Sequence, residues 1–159
     1  MQIKNIDRAR QLNDFSNLMG GKISMTDIDG IYDCDGKGWL ILETKYLSKE
    51  LPASQERTIE RLVKDTGCKG EKLSIGVVVE HNISNANDHV PCAICKVRKY
   101  YYSTNLRWVI PPIEMTFDEC ITLFYNHVEV YYEKSIRAIW HYICSNIISY
   151  FNKLILFRS

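Results

Sequence analysis

The chain lacks a charge excess of either sign. Its 20 basic and 19 acidic residues leave a formal net charge of +1. Proteins that hold nucleic acid by overall charge are far more basic, so a grip on a polyanion here needs a local surface or a metal. It also lacks a long unbroken apolar run. Met1-Gln2-Ile3-Lys4-Asn5 contains no apolar core of a secretory signal. The most apolar stretch, Ile136 to Phe157, is interrupted by Arg137, His141, Ser145, Ser149 and Lys153, whereas a membrane span needs about 20 apolar residues with few charges. No internal repeat, low-complexity tract or long linker is visible. The six cysteines are unevenly spaced, and reduced thiols in a cytoplasm are expected. What remains is 159 residues, 46% hydrophobic and 25% charged, enough for one domain with a core. Residues 1–159 read as that single domain, with an α/β core over 1–112 and a helical extension over 113–159.

Local signals divide the chain into elements. Asn5 can cap a helix over residues 6–18, closed by Gly20-Gly21, with Asp7, Gln11 and Asp14 on one of its faces. Two strand-like runs follow, Ile23–Ile31 and Trp39–Lys45, joined by Asp33-Cys34-Asp35-Gly36-Lys37-Gly38, which reads as a hairpin loop. Pro52 suits the first turn of a helix that continues to Asp65 and ends at Thr66-Gly67. Ile59, Leu62 and Val63 form its apolar side, and Gln55, four residues before Ile59, falls on that buried side and needs a partner. Leu73–Glu80 is nearly continuous in apolar character, which suits a central strand covered on both faces. Residues 81–91 read as a loop, Ala93–Tyr102 and Leu106–Ile110 as strands, and Pro111-Pro112 as a stop. Thr116 with Glu119 forms a capping box ahead of a stripe of Phe117, Ile121, Phe124, Val128 and Tyr131. A second helix, Ile136 to Phe157, carries Trp140, Ile143, Ile147, Phe151 and Leu154; such a face packs on the chain itself or on another, and a homodimer or protein partner is favoured. The order α-β-β-α-β-β-(β)-α-α predicts an α/β chain of α+β type, a mixed central sheet flanked by helices.

The chemistry concentrates on the two hairpin strands. Residues two apart share a strand face, so Asp27 and Asp29 continue the face of Ile23, Met25 and Ile31, and Glu43 and Lys45 continue that of Trp39 and Ile41. A lone carboxylate on an apolar face is costly, and carboxylates tolerate such places when they share a cation. The hairpin brings Asp29 toward Glu43. Together with Lys45 they suggest a site for Mg²⁺ or Mn²⁺ in which an ammonium stands beside the ion, as phosphodiester hydrolysis requires. Asp27 is an alternative ligand. The competing reading is a loop acid cluster and a Glu43–Lys45 or Asp27–Lys45 salt bridge.

Asp29, then Glu43-Thr44-Lys45 at the end of the next strand, then a glutamine opening the following helix, resembles the PD-(D/E)XK nuclease superfamily. The run "DIDG…LILETK…SQERTIERL" is similar to small members from phages and mobile elements and covers about residues 20–65. The resemblance implies an αβββαβ restriction-endonuclease-like core, with one strand added or split. It implies a catalytic set of Asp29, Glu43, Lys45 and Gln55, a metal held by Asp29 and Glu43 with the Thr44 backbone carbonyl as third ligand, and DNA as the favoured substrate. No glutamate precedes Glu43, although many members carry one in an N-terminal helix, and Ile28 stands where the family name has proline. A catalytically silent nuclease-fold protein that binds or inhibits a partner is the alternative.

Two further clusters have suggestive chemistry. Lys96, Arg98, Lys99 and Arg107 lie among Tyr100, Tyr101, Tyr102 and Trp108, a mixture that can neutralise phosphates and stack bases, or simply pack and be solvated. Cys92 and Cys95, with His89 and His81 nearby, are zinc-ligand types. Ordinary thiols are the default, because a strand would point the two cysteines to opposite faces.

Overall fold

The computed structural model describes residues 28–67, 72–85 and 88–156, with side chains described as far as Arg137. The expected helix over 6–18 and residues 23–27, Asp27 among them, lie outside the described residues. Within them run β1 (Gly30–Asp33), β2 (Gly38–Tyr46), α1 (Ala53–Thr66), β3 (Leu73–His81), β4 (Lys96–Tyr102), β5 (Trp108–Val109) and α2 (Phe117–Leu156), with a 3-10 turn at Cys92–Ile94. The five strands form one sheet in the order β1-β2-β3-β4-β5. β2 and β3 are parallel, with α1 as the crossover, and the other neighbours are antiparallel. The chain is thus α+β, a mixed sheet with a helix on each face.

The hairpin between β1 and β2 closes as its Asp-Gly pair dictates. Asp35 and Gly36 both have positive φ, 52° and 73°, and Lys37 N–H donates to the Cys34 carbonyl at 2.9 Å. Primed turns need that combination because their twist matches the strands. β1 is a short edge strand whose Ile31 and Tyr32 are exposed.

The central strand is covered on both sides, as its continuous apolar run predicts: Leu73 to Val79 are all buried. On one face Leu40, Leu42, Leu73, Ile75, Val77, Val79, Val97 and Tyr102 meet Phe117, Cys120, Phe124 and Val128 of α2. On the other, Ile41, Val78 and Tyr101 meet Leu51 and the Ile59 and Val63 side chains of α1. Gly76 permits this second contact, since a Cβ there would collide with the Ile59 side chain.

Two expected boundaries change. The strand expected from Ala93 starts only at Lys96, because Cys92–Ile94 curl into the 3-10 turn that Pro91 precedes. The two helices expected after Thr116 are one, Phe117–Leu156. Neither glycine nor proline occurs between those residues, so nothing interrupts the hydrogen-bond ladder. At about 1.5 Å per residue its 40 residues make a rod about twice as long as the nine-residue strands β2 and β3, which rise about 3.3 Å per residue. Its start is the capping box: Glu119 N–H donates to Thr116 Oγ1 at 3.3 Å, and Thr116 N–H donates to Glu119 Oε2 at 2.8 Å. Those bonds hold the Glu119 carboxyl below its ordinary value. No helix among the described residues is long and apolar enough to cross a membrane.

Candidate active site

The C-terminal end of β2 assembles the polar residues. Side chains alternate along the strand. Ile41 lies under α1, and Glu43 and Lys45 follow it on that side. Glu43 is buried, 3% exposed. Its Oε1 accepts from Lys45 Nζ at 2.6 Å, and the same ammonium donates to Gln55 Oε1 at 2.9 Å. Gln55 stands in the first turn of α1. The inward-facing glutamine therefore has its partner, and Lys45 is fixed between a carboxylate and an amide oxygen. A side chain with so many rotors is held in one place at the strand end, with its third proton directed elsewhere.

Asp29 is exposed and precedes β1 by one residue. The register that pairs Gly30 with Leu42 sets it beside the Glu43–Thr44 peptide. Thr44 donates its backbone N–H and its hydroxyl to Asp29 Oδ2, each at 2.6 Å. The structure thus groups Glu43, Lys45 and Gln55 directly, and ties Asp29 to the intervening Thr44. Neighbouring residues of β2 hold the two carboxylates, each by its own anchor. The Thr44 hydroxyl is a positioning group that sequence reasoning missed; the Thr at the centre of Glu-Thr-Lys was its only signal.

Among the described residues, no group of three His, Cys, Asp or Glu side chains stands ready to hold a metal. The donor chemistry still fits a hard cation. Magnesium-type ions commonly take one or two carboxylates and keep several waters, and Asp29 and Glu43 are two such oxygen donors, although the Thr44 hydroxyl that holds Asp29 stands on the face of β2 opposite to Glu43.

Cys92 and Cys95 are free thiols. Each donates to a carbonyl, Cys92 to Val90 at 3.6 Å and Cys95 to Pro91 at 3.5 Å. Burial pushes both thiols up, and the nearby Asp29 charge adds to the shift at Cys92. They are protonated at neutral pH, as packed thiols are.

Most of the basic cluster is internally paired. Lys99 Nζ bonds Glu56 at 2.7 Å and lies 4.6 Å above the Trp108 ring. Arg98 donates to the Lys49 carbonyl at 2.6 Å and pairs with Glu50 at 3.0 Å. Lys96 meets Glu114 at 3.2 Å at the surface. Arg107 is exposed. A register shift opposite Val78 and Val79 leaves Arg98 as an extra residue in β4. Val97 then faces α2 while Lys99 faces α1, although an unbroken strand would put them on one side.

Comparison with protein-family models, with curated proteins and with solved structures finds no match for this chain.

Proposed function

We propose that the chain is a metal-dependent nuclease of PD-(D/E)XK type that hydrolyses phosphodiester bonds, with DNA the favoured substrate and Asp29, Glu43, Lys45 and Gln55 as the working residues. The observation that carries this reading is the lysine clamp: Lys45 Nζ held between Glu43 Oε1 at 2.6 Å and Gln55 Oε1 at 2.9 Å, one residue from the Thr44 that anchors Asp29. Ordinary surface Glu-x-Lys pairs are exposed, and this carboxylate is buried.

Asp29 and Glu43 would hold Mg²⁺ or Mn²⁺, with the Thr44 carbonyl as a further donor. The bound ion would polarise the phosphate and acidify a water. The chain's own groups supply the rest. Lys45 presents a fixed ammonium to the non-bridging phosphate oxygens, where negative charge grows in the transition state. Gln55 keeps that ammonium from collapsing wholly onto Glu43. Thr44 keeps the Asp29 carboxylate oriented by two donors, so little reorganisation accompanies binding. The restriction-endonuclease-like core belongs to this proposal. The described ββαβββα order supplies a hairpin, a crossover helix and a parallel partner strand for it.

The silent-binder alternative has one observation in its favour: Lys96, Arg98 and Lys99 are engaged by carboxylates of the same chain, which weakens a broad phosphate-binding surface. A binder of this kind, or a homodimer, would use the long α2, and light scattering over a concentration series reads that assembly. No helix among the described residues is long and apolar enough to cross a membrane; action away from a membrane, in the cytoplasm, is part of the proposal.

Incubation with single-stranded, double-stranded and branched DNA plus Mn²⁺ tests the enzyme reading. Cleavage by the wild-type chain and none by Glu43→Ala is expected. Binding of any of these substrates without cleavage supports the silent alternative.

A further inference from the structure

The other face of the sheet holds a cavity that the nuclease reading does not use. It has a volume of about 350 Å³ and lies between β4, the turn after it and the first three turns of α2. Tyr100 and Tyr102 of β4, Phe124 and His127 of α2, Met115 and Leu123 are among the side chains that line it. The volume lies in the range that small-molecule pockets occupy. No Asp, Glu, Lys or Arg lines it, which excludes nucleotides and other multiply charged ligands, since nothing there would neutralise them.

The walls are aromatic and ordered. The Tyr102 and Phe124 rings meet edge to face at 87°, with centroids 6.1 Å apart. Tyr102 and His127 lie nearly parallel, at 18° and 5.6 Å. The Tyr102 hydroxyl is 2.8 Å from His127 Nδ1. Burial pushes the Tyr102 phenol far above its ordinary value of 10.0, so it stays a neutral O–H. When that phenol donates to Nδ1, the remaining imidazole proton resides on Nε2. His127 is exposed, so Nε2–H is open to a ligand. A thioether beside aromatic rings adds a polarisable surface suited to flat π systems.

We propose that this cavity binds a small planar aromatic compound of one or two fused rings that carries one hydrogen-bond acceptor, with His127 Nε2–H as the donor that orients it. The ring system would lie against these aromatic side chains, and its acceptor edge would face Thr104, Asn105 and His127.

Quinoline, two fused rings with one acceptor nitrogen, is the probe. Titrated into the full-length ¹⁵N-labelled chain, it is expected to give saturable shifts of the Thr104, Asn105, Leu123 and His127 amides with one-site behaviour. Leu123→Trp and Thr104→Trp, both at exposed positions, should each abolish binding by filling the cavity while circular dichroism stays unchanged. His127→Phe keeps the aromatic wall but removes the donor, and should weaken quinoline about tenfold, the worth of one hydrogen bond. Absence of saturable shifts up to the solubility limit, shifts scattered away from these residues, or full binding by both tryptophan variants would overturn the site. Unchanged affinity in His127→Phe would overturn the orienting role of the imidazole.

Discussion

The two faces of this sheet are built for different ends. Toward α2 the chain buries a broad apolar cluster from Cys34 to Val128, with an ion pair at its rim, Lys37 to Glu129 at 2.7 Å. Toward α1 the apolar contact is small, Ile41, Leu51, Ile59, Val63, Val78 and Tyr101. Charged and polar groups surround that small cluster: Glu43–Lys45–Gln55 at one end of α1, Lys99–Glu56 along it, and Trp108 Nε1 donating to Glu60 at 2.7 Å. The α2 face supplies stability by removing apolar surface from water. The α1 face spends buried volume on a carboxylate and an ammonium, a use that costs desolvation and contributes little net stability. The proposed nuclease chemistry gives an ion pair in that position a use that folding does not.

The contrast can be broken by substitution. The largest effect is expected from Phe124→Ala on the α2 face, a loss of about 4 kcal/mol in urea unfolding, because a buried aromatic leaves a cavity. Ile59→Ala on the α1 face should cost less, about 3 kcal/mol; the reverse order would remove the claim that the α2 face dominates. Next comes Lys45→Met, about 3 kcal/mol or slightly less, since it removes the ammonium that pairs with the buried Glu43 carboxylate. The double variant Glu43→Leu with Lys45→Met is expected to recover most of that loss or exceed wild type while abolishing cleavage. A double variant as unstable as the single one would mean that the pair is there for folding.

Alkaline pH sharpens the comparison on the α2 side. Burial raises the Cys34 and Cys120 thiols from 9.0 to about 11, with nearby acids adding at Cys34. The unfolded chain therefore releases these protons first. Their contribution is complete below pH 9 and is lost as pH rises from about 9 to 11. Chemical denaturation across that window should show falling stability, with a shallower fall in Cys120→Ala. At the small end, Thr116→Ala should remove about 1 kcal/mol through the lost cap. Lys96→Ala should change stability by less than about 0.5 kcal/mol, because its pair with Glu114 is solvated.

Much of this was legible wherever a signal is local. Asp35-Gly36 specified its turn, Thr116 and Glu119 their box, the β-branched run its central strand, and the spacing of Gln55 to Ile59 its inward aim. Helix continuity was misread for an identifiable reason. After Tyr131 the apolar spacing in the sequence shifts phase, and a change of phase resembles a new helix even though no glycine or proline breaks the chain. The pairs Lys99–Glu56, Arg98–Glu50 and Tyr102–His127 join residues tens of positions apart. Nothing in a local pattern reports such partners, and the bulge at Arg98 alters which side β4 presents to them. The candidate site was visible as residue types. Its division into a lysine clamp and a separate Thr44 anchor for Asp29 was not, because that depends on how the end of β1 meets β2.

The central claim is that Asp29 and Glu43 serve one cation despite their separate anchors. Titration of Mn²⁺ into the full-length chain by isothermal calorimetry, beside Asp29→Asn and Glu43→Gln, tests it most directly. The account predicts one ion per wild-type chain and its loss in both variants, with the fold intact by circular dichroism. Absence of Mn²⁺ binding by the wild type, or undiminished binding in either variant, would contradict it.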